Sequence, residues 1–271
     1  MDTINSNFSQ ILPGLELSEI VGLLGALALS SIRIGSFLLA SPLFGYRIIP
    51  LQARIIVSFA MSFLIYDKVT LPDINQLAGI EIISVIFIEL LIGLSAGLII
   101  TILFNSASLA GEKIAASTGL SFAGLIDPDS GAQTPVLSHM LSLFMIVTFL
   151  SLNGHLIAFS IILESYKIFP ISFTGIDLNI LKLGIDAGGL MFKFGALIML
   201  PVVVGITLLN VVIGVVTRSA PSLNLFSFGF PITMISTFFL MYLCSITIAG
   251  NFRRIVDISI DFIARLIEGL V

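Results

Sequence analysis

The chain has 271 residues, of which 57% are hydrophobic and 10% are charged, and its mean hydropathy is +1.16. In soluble domains about a quarter of the residues are charged, so this composition indicates an integral membrane protein. No polar stretch is long enough for a second core, which predicts one membrane domain. The net charge of -4 and the lack of a basic run argue against nucleic acid as a partner. With one cysteine, Cys244, an intrachain disulfide and a cysteine-based metal site are excluded.

The first half of the chain predicts three apolar segments of unequal length. Residues 1–19 contain no Lys or Arg, unlike a secretory signal peptide, so we expect the first segment, Ile20–Phe44, to be retained. The second, Ile55–Tyr66, would reach about 18 Å as a helix and is too short for a hydrocarbon core of about 30 Å. The third runs from Ile82 to about Ser108 and contains the small-residue motif Gly93–Gly97, which favours close helix contact.

The second half predicts three further segments. Ala132–Leu163 has no charged residue and is interrupted near Gly154. A polar link over residues 164–193 then precedes the uncharged run Phe194–Thr217. The last segment, Ser219–Phe252, would be about 51 Å long as one helix and must therefore break.

Glycine and proline mark the expected breaks or hinges of these segments. Gly154 follows Asn153 in the fourth segment, and Gly229 and Pro231 lie inside the last one, where proline removes a helical hydrogen bond. Interrupted helices survive at membrane depth only where protein or water satisfies the freed backbone. We therefore predict an all-α membrane protein whose uneven, broken helices are buried in an assembly or line a cavity.

The C-terminal residues 253–271 predict an amphipathic helix that lies at the membrane interface or against a partner subunit. Its apolar side begins at Phe252 and recurs every three to four residues. The apolar positions are Phe252, Ile255, Val256, Ile263, Leu266, Ile267 and Leu270, and the charged ones are Arg253, Arg254, Asp257, Asp261, Arg265 and Glu268.

The stretch Gly111–Gly131 is polar and flexible, and it lies between two apolar halves. Of the twenty residues in Asn105–Gly124, thirteen are Gly, Ala, Ser or Thr, so this backbone can approach other backbones closely. Two interpretations remain open. The stretch is either a connecting loop beside a tightly packed helix, or a mobile segment that lines or closes a pore, with Phe122 and small side chains setting its width.

Two charges, Arg33 and Glu89, lie inside apolar segments. Such residues usually face a bundle interior or water and are paired, because an isolated charge costs several kcal/mol in hydrocarbon. A structural pair or a contact with the backbone is the default hypothesis, and proton or ion handling is the alternative.

No catalytic or metal-binding motif is recognisable. His139 and His155 lie sixteen residues apart without a carboxylate motif, so the pattern predicts no metal site, no cofactor and no enzyme. The cluster Asp127–Gly131 differs from a calcium loop, because its glycine comes one position early and its twelfth position is Ser138 rather than glutamate.

Several motifs follow one another in a fixed order along nearly the whole chain. They are Arg33, Pro42, Pro50 and Arg54, then Gly111-Glu112, Gly119–Ala123, Asp127-Pro128, Leu152–His155 and Pro170, and finally Arg218–Asn224 with Phe226 and Gly229–Pro231. Together they resemble the FliR family of flagellar biosynthetic proteins, which includes SctT of type III secretion injectisomes.

The resemblance implies a core subunit of the flagellar type III protein export gate, through which unfolded flagellar proteins pass, in the basal body within the bacterial inner membrane. Implied partners are FliP-like and FliQ-like subunits, FlhB-like and FlhA-like export proteins, the exported chains and membrane lipids. It also implies a division into a FliP-like part over about residues 1–193 and a FliQ-like helical hairpin over about residues 194–252.

The resemblance further implies a plug-like loop in the pore. Its residues here would be Glu112, Ser117, Gly119, Leu120, Ser121, Phe122 and Ala123. A small-residue loop with an apolar tip can dewet a constriction and block ions, yet move aside for an unfolded chain. Ser117 and Lys113 differ from the residues that relatives commonly carry, which affects the polar contacts of the closed loop.

Three other functions predict different features in the sequence. An injectisome subunit of the SctT type is the first alternative, and the motifs are more similar to the flagellar proteins. A small-molecule secondary transporter could have similar broken helices and midplane charges, but no repeated half is visible in the sequence. An intramembrane enzyme would need a nucleophile, a base or a metal constellation.

Overall fold

The computed structural model describes residues 17–45, 49–65, 79–119, 136–171, 179–219 and 229–269, and these form eight α-helices without any strand. The helices are α1 (Leu17–Ala40), α2 (Leu51–Ile65), α3 (Gly79–Thr118), α4 (Val136–Ser151), α5 (Gly154–Ile168), α6 (Asn179–Ser219), α7 (Phe230–Leu243) and α8 (Ser245–Glu268). The predicted all-α class is confirmed.

Three helices, α1, α3 and α6, are long and apolar enough to cross a membrane. The pair α4 and α5 and the pair α7 and α8 each pass the same test together, although they are bent by 66° and 62°. The helix α2 is apolar but has only 15 residues, as predicted for a segment too short to cross unaided. Within the described ranges, the helices therefore offer three spans, or up to five if each bent pair forms one span.

The break between α4 and α5 lies where the sequence predicts it. Asn153 has a positive φ of 55°, a conformation that asparagine tolerates better than most residues and that ends α4. A Cβ at Gly154 would overlap the ring of Phe149, so the sharp start of α5 requires glycine. The 66° bend therefore comes from a two-residue signal in the sequence.

The break in the last segment is more complex than predicted. Pro231 occupies the first turn of α7, where the missing N–H costs nothing, and Gly229 precedes the helix. A second break of 62° follows at Cys244, between α7 and α8. Neither proline nor glycine marks this position, so sequence reasoning missed it.

Two predicted boundaries are wrong because isolated polar residues do not end a helix. The helix α3 continues ten residues beyond Ser108, to Thr118. Most of the predicted link over 164–193 is also helical, because α5 runs to Ile168 and α6 already begins at Asn179. The charges of Lys182, Asp186 and Lys193 lie on exposed positions of α6 and are compatible with a continuous helix.

The described residues group into two compact units. One comprises those within 1–101, 156–184 and 263–271, and the other those within 102–155 and 185–262. In the first unit α3 packs closely on α1, since a Cβ at Gly97 would lie 2.7 Å from Cβ of Ala40 and 2.8 Å from O of Phe37. The small-residue motif Gly93–Gly97 thus provides the predicted close helix contact.

In the second unit the small-residue part of α3 packs against the start of α4. A Cβ at Gly111 would overlap the main chain of Ser138 and Leu137, and the hydroxyls of Ser108 and Ser138 lie 2.8 Å apart. The backbone of the small-residue stretch around Gly111 therefore makes the close approach that its composition predicts.

The helices α6 and α7 also approach closely, because a Cβ at Gly205 would lie 2.8 Å from Cδ1 of Leu240.

The C-terminal helix α8 confirms the predicted amphipathic pattern. Every predicted apolar position within the described residues is buried, and every predicted charged position is exposed. Hydrophobic residues at three-to-four spacing are sufficient to define the buried side of this helix.

Candidate functional site

Among the described residues, two groups of polar contacts join different helices at predicted site residues, and each group lies within one unit. In the first unit the guanidinium of Arg33 on α1 forms a two-pronged ion pair with the carboxylate of Glu89 on α3. Its Nε donates to Oε2 at 2.8 Å and its Nη2 to Oε1 at 2.7 Å. Arg33 is 0% and Glu89 2% exposed. The structure confirms that the two intramembrane charges are paired.

Helix α5 completes the environment of Arg33. Nη1 donates to Oγ of Ser165 at 2.9 Å, and Nη2 donates to the carbonyl of Phe169 at 3.0 Å, just beyond the end of α5. The ring of Tyr166 stacks on the guanidinium, with Cζ 4.2 Å from the ring centroid. The Arg33 network, consisting of Arg33, Glu89, Ser165, Tyr166 and Phe169, therefore joins three helices.

Two hydroxyl contacts extend this network. The hydroxyl of Tyr166 donates to the carbonyl of Ser30, and the hydroxyls of Ser30 and Ser62 are hydrogen-bonded to one another. Ser62 lies on α2 and also donates to the carbonyl of Leu27 at 3.0 Å. Helix α2 is therefore held to α1 through polar contacts on its buried side, while its other side exposes Ile56, Phe63 and Leu64.

The chemistry of the Arg33 network is that of a structural clamp. Two charges that are removed from water remain charged only if the geometry is good and further hydrogen bonds satisfy them. Both carboxylate oxygens of Glu89 and three nitrogens of Arg33 have partners here. The arrangement favours a fixed ion pair over proton or ion handling, because its groups are engaged with each other and buried.

The second place is the C-terminal end of α3, which carries the first residues of the predicted pore loop. Glu112 and Ser117 are helical rather than in a loop, and Glu112 is exposed. The hydroxyl of Ser117 donates within the helix, to carbonyls of Lys113 at 3.0 Å and Ile114 at 2.9 Å. Leu120, Ser121, Phe122 and Ala123 lie outside the described residues, so the pore assignment stays a prediction.

Gly119 ends α3. Its φ of 85° is in the left-handed region, which glycine adopts without strain, and its N–H donates to the carbonyl of Ala116 at 3.3 Å. A glycine directly after the last helical residue is a common way to stop a helix. Gly119 thus marks where α3 stops.

Side chains of α6 and α7 contact the last carbonyls of α3. Nδ2 of Asn210 on α6 donates to the carbonyl of Ser117 at 3.2 Å, and Oγ1 of Thr233 on α7 lies 3.3 Å from the carbonyl of Thr118. The Thr233 hydroxyl is also 2.9 Å from the carbonyl of Phe230 in its own helix. The end of α3 is thus contacted from two other helices by neutral hydrogen-bonding groups.

Sequence reasoning missed Asn210, Thr233, Ser165 and Tyr166. A signal for Asn210 exists, because it is an amide within the uncharged run Phe194–Thr217, where a polar side chain needs a partner. The identity of that partner, 93 residues away in sequence, is decided only by tertiary structure.

The two histidines lie on α4 and α5. His155, at the start of α5, packs edge-on against Phe149, and its Nδ1 is buried without a hydrogen-bond partner among the described atoms. His139 lies on α4. Within the described ranges, no three His, Cys, Asp or Glu side chains are close enough to hold a metal ion.

A cavity of about 420 Å³ lies between α4, α7 and α8 in the second unit. Its wall is mainly hydrophobic and includes Phe144, Phe238, Met241, Ile248 and Phe252. Such a wall can accept an apolar group, and its polar members are the hydroxyl-bearing residues Thr148, Tyr242 and Ser245.

Comparison with known proteins gives a consistent result over most of the chain. The family model described as "Bacterial export proteins, family 1" matches residues 24–258. This range includes Arg33, Glu89, Asn210 and Thr233.

Relatives that share one name cover most of the chain. The "Flagellar biosynthetic protein FliR" of Aquifex aeolicus (strain VF5) is 33% identical over 232 residues, which is 84% of this chain and 89% of the relative. The protein of that name from Bacillus subtilis (strain 168) is 27% identical over 259 residues, or 93% and 98% of the two chains. That from Escherichia coli (strain K12) is 28% identical over 203 residues, or 75% and 77%.

Proposed function

The chain belongs to family 1 of the bacterial export proteins, and from that premise we propose that it is a core subunit of the flagellar type III protein export gate. In this role it forms part of the protein-conducting pore through which unfolded flagellar subunits leave the cell. The observation that carries the proposal is the family match over residues 24–258, together with flagellar relatives that cover most of the chain.

The helices support a role within an assembly. Helix α6 has 41 residues and would be about 60 Å long, twice the hydrocarbon thickness of about 30 Å. Only 17% of its apolar stretch is buried, and exposed hydrophobic side chains occur from Leu181 to Val216. Lipid alone cannot cover such a length unless the helix is strongly tilted. Helices of partner subunits would cover the remainder.

The partners and location follow from this role. We assign the protein to the bacterial inner membrane, within the flagellar basal body, in contact with FliP-like and FliQ-like subunits and with FlhB-like and FlhA-like export proteins. We assign the FliQ-like hairpin to about residues 194–252, which include much of α6 and all of α7. Conduction of a polypeptide needs a shaped path and no chemical turnover, so the proposed role is not that of an enzyme.

The end of α3 is the proposed gate-bearing region. Gly119 turns the chain out of the helix, and the residues that follow carry the small side chains and the single aromatic ring of the predicted plug. Within the proposed function, this region restricts ions while the gate is at rest and yields to an exported chain.

The test uses a strain that lacks the gene for this protein. A variant in which residues 118–124 are deleted is compared with the restored wild-type gene, and both ion leak across the inner membrane and export of flagellar subunits are measured. Leak with export retained is the expected result. If the variant shows no ion leak and fails to assemble, residues 118–124 have a packing role and the gate claim is wrong. If loss of the whole gene leaves export unchanged, the proposed export function itself is wrong.

A further inference from the structure

We infer that Asn210 and Thr233 form a latch on the C-terminal end of α3, which holds the proposed gate region at rest and must be released during export. The inference rests on the proposed function, and it assigns a positioning role to two residues whose side chains contact carbonyls of α3. The latch is defined as Asn210, Thr233 and the carbonyls of Ser117 and Thr118.

The carbonyls at a helix end are the natural target of such a contact. The last four carbonyls of an α-helix have no partner within the helix, and in a membrane protein they need donors from elsewhere. The carbonyl of Ala116 is used by the N–H of Gly119, and those of Ser117 and Thr118 are reached by Asn210 and Thr233. The two side chains therefore complete the termination of α3 that Gly119 begins.

The residues next to Asn210 on α6 are apolar and exposed, and its contact with α3 explains a polar side chain at this position. Its neighbours Leu208, Val211 and Val212 are 65%, 60% and 58% exposed, so this part of α6 is suited to an apolar environment. An amide in such a run is unfavourable unless it is hydrogen-bonded. The hydrogen bond of its side chain is made to another helix, whereas Thr207 on the same helix donates to its own Val203 at 2.8 Å.

The two halves of the latch come from helices that pack together. Gly205 on α6 faces Leu240 on α7 so closely that a Cβ would lie 2.8 Å from the leucine Cδ1. Because α6 and α7 are in close contact, a shift of this pair relative to α3 breaks both latch contacts at once. A movement of α6 and α7 is thus transmitted to the C-terminal end of α3.

The strength of the contacts suits a reversible latch. Both are neutral hydrogen bonds of 3.2 and 3.3 Å, and Asn210 is exposed. The hydroxyl of Thr233 retains the carbonyl of Phe230 as an alternative acceptor at 2.9 Å, so release does not leave its proton unpaired. The contact can therefore open without leaving a buried charge unpaired.

The first experiment removes the latch in the complete export complex. The double variant Asn210→Ala with Thr233→Val should raise ion leak several-fold over wild type, while export and co-purification of the partner subunits are retained. Thr207→Val on α6 and Thr237→Val on α7 are matched controls, since each hydroxyl donates within its own helix, and both should remain as tight as wild type. A double variant that assembles and does not leak overturns the latch.

The second experiment locks the contact and decides the question if the double variant fails to assemble. Ser117→Cys and Asn210→Cys are combined in a Cys244→Ser background, and the thiols are joined by a short bis(methanethiosulfonate) cross-linker. Export should fall at least tenfold when the cross-link forms and recover after dithiothreitol. Modification of the single variant Asn210→Cys is the control and should leave export unchanged.

The outcomes separate the latch from the function on which it rests. Full export with the cross-link in place overturns the requirement for release, while export that depends on the gene keeps the proposed function. Failure of the cross-link to form in assembled complexes also overturns the latch, because the contact would then be absent. Loss of the gene without loss of export overturns the proposed function itself.

Discussion

The Arg33 network and the end of α3 are both polar contacts between helices in an apolar chain, yet they differ in strength. Arg33 and Glu89 are charged, 0% and 2% exposed, and joined by two hydrogen bonds of 2.7 and 2.8 Å. At the end of α3 each contact involves neutral groups at 3.2 to 3.3 Å, and one donor, Asn210, is exposed.

This difference in strength indicates that the two sets of polar contacts have different roles. Breaking a buried ion pair leaves an uncompensated charge and is therefore strongly unfavourable, whereas an exposed neutral hydrogen bond contributes about 1 kcal/mol or less. The Arg33 network is suited to holding α1, α3 and α5 in one arrangement. The end of α3 is suited to a contact that opens and closes.

The largest expected effect is from Arg33→Ala. Removal of the guanidinium leaves the carboxylate of Glu89 buried without its donor, so the free energy of unfolding should fall by about 3–5 kcal/mol. Thermal unfolding of the purified protein in detergent measures this change. Arg254→Ala on the exposed side of α8 is the matched control and should stay within about 0.5 kcal/mol. Equal stability of the two variants would mean that the Arg33 network does not stabilise the fold.

A charge swap sharpens the same comparison. Arg33→Glu and Glu89→Arg should each prevent accumulation of folded protein, and the double variant should recover part of it because the opposite charges are again adjacent. Recovery should be incomplete, since a carboxylate at position 33 would face the carbonyl of Phe169 that now accepts from Arg33. Folded protein is quantified by size-exclusion chromatography. A double variant no better than either single one would contradict the pairing.

Backbone packing gives the next largest effect. Gly111→Ala places a methyl group against the main chain of Ser138, so α3 and α4 must separate and stability should fall by about 1–3 kcal/mol. Gly214→Ala on α6 is the control, because its Cβ would meet nothing within 4 Å and alanine is the better helix former. Thermal unfolding of both variants is compared. A neutral Gly111→Ala would show that this contact is loose.

A smaller effect is expected within the Arg33 network. Tyr166→Phe keeps the ring stacked on the guanidinium but removes the hydroxyl that donates to the carbonyl of Ser30, which should cost about 1 kcal/mol. Tyr242→Phe, at a site 75% exposed, should be neutral in the same unfolding measurement. If both substitutions are neutral, the hydroxyl contact contributes nothing to the clamp.

The smallest change in stability is expected at the end of α3. Asn210→Ala should alter the free energy of unfolding by no more than about 0.5 kcal/mol, because the side chain is exposed and neutral. Differential scanning fluorimetry compares it with Arg33→Ala. A loss as large as that of Arg33→Ala would mean that the two regions do not differ in strength.

Some elements of the molecule could be predicted because their signal is local. The short α2, the break before Gly154 and the buried side of α8 each depend on residues within a few turns of one another. The extra break at Cys244 and the extension of α3 to Thr118 were missed. No proline or glycine lies at Cys244, and α3 continues through the polar residues after Ser108 as far as Gly119 because isolated polar residues do not end a helix.

The sequence by itself determined the class of protein, the presence of two intramembrane charges that need partners, and the family, because composition and ordered motifs are properties of the chain. Only the tertiary structure decided which groups meet. Arg33 is 132 residues from Ser165, and Asn210 is 93 residues from Ser117. A hydrogen bond depends on positions to within a few tenths of an ångström, and over such separations these positions follow from the packing of whole helices rather than from local pattern.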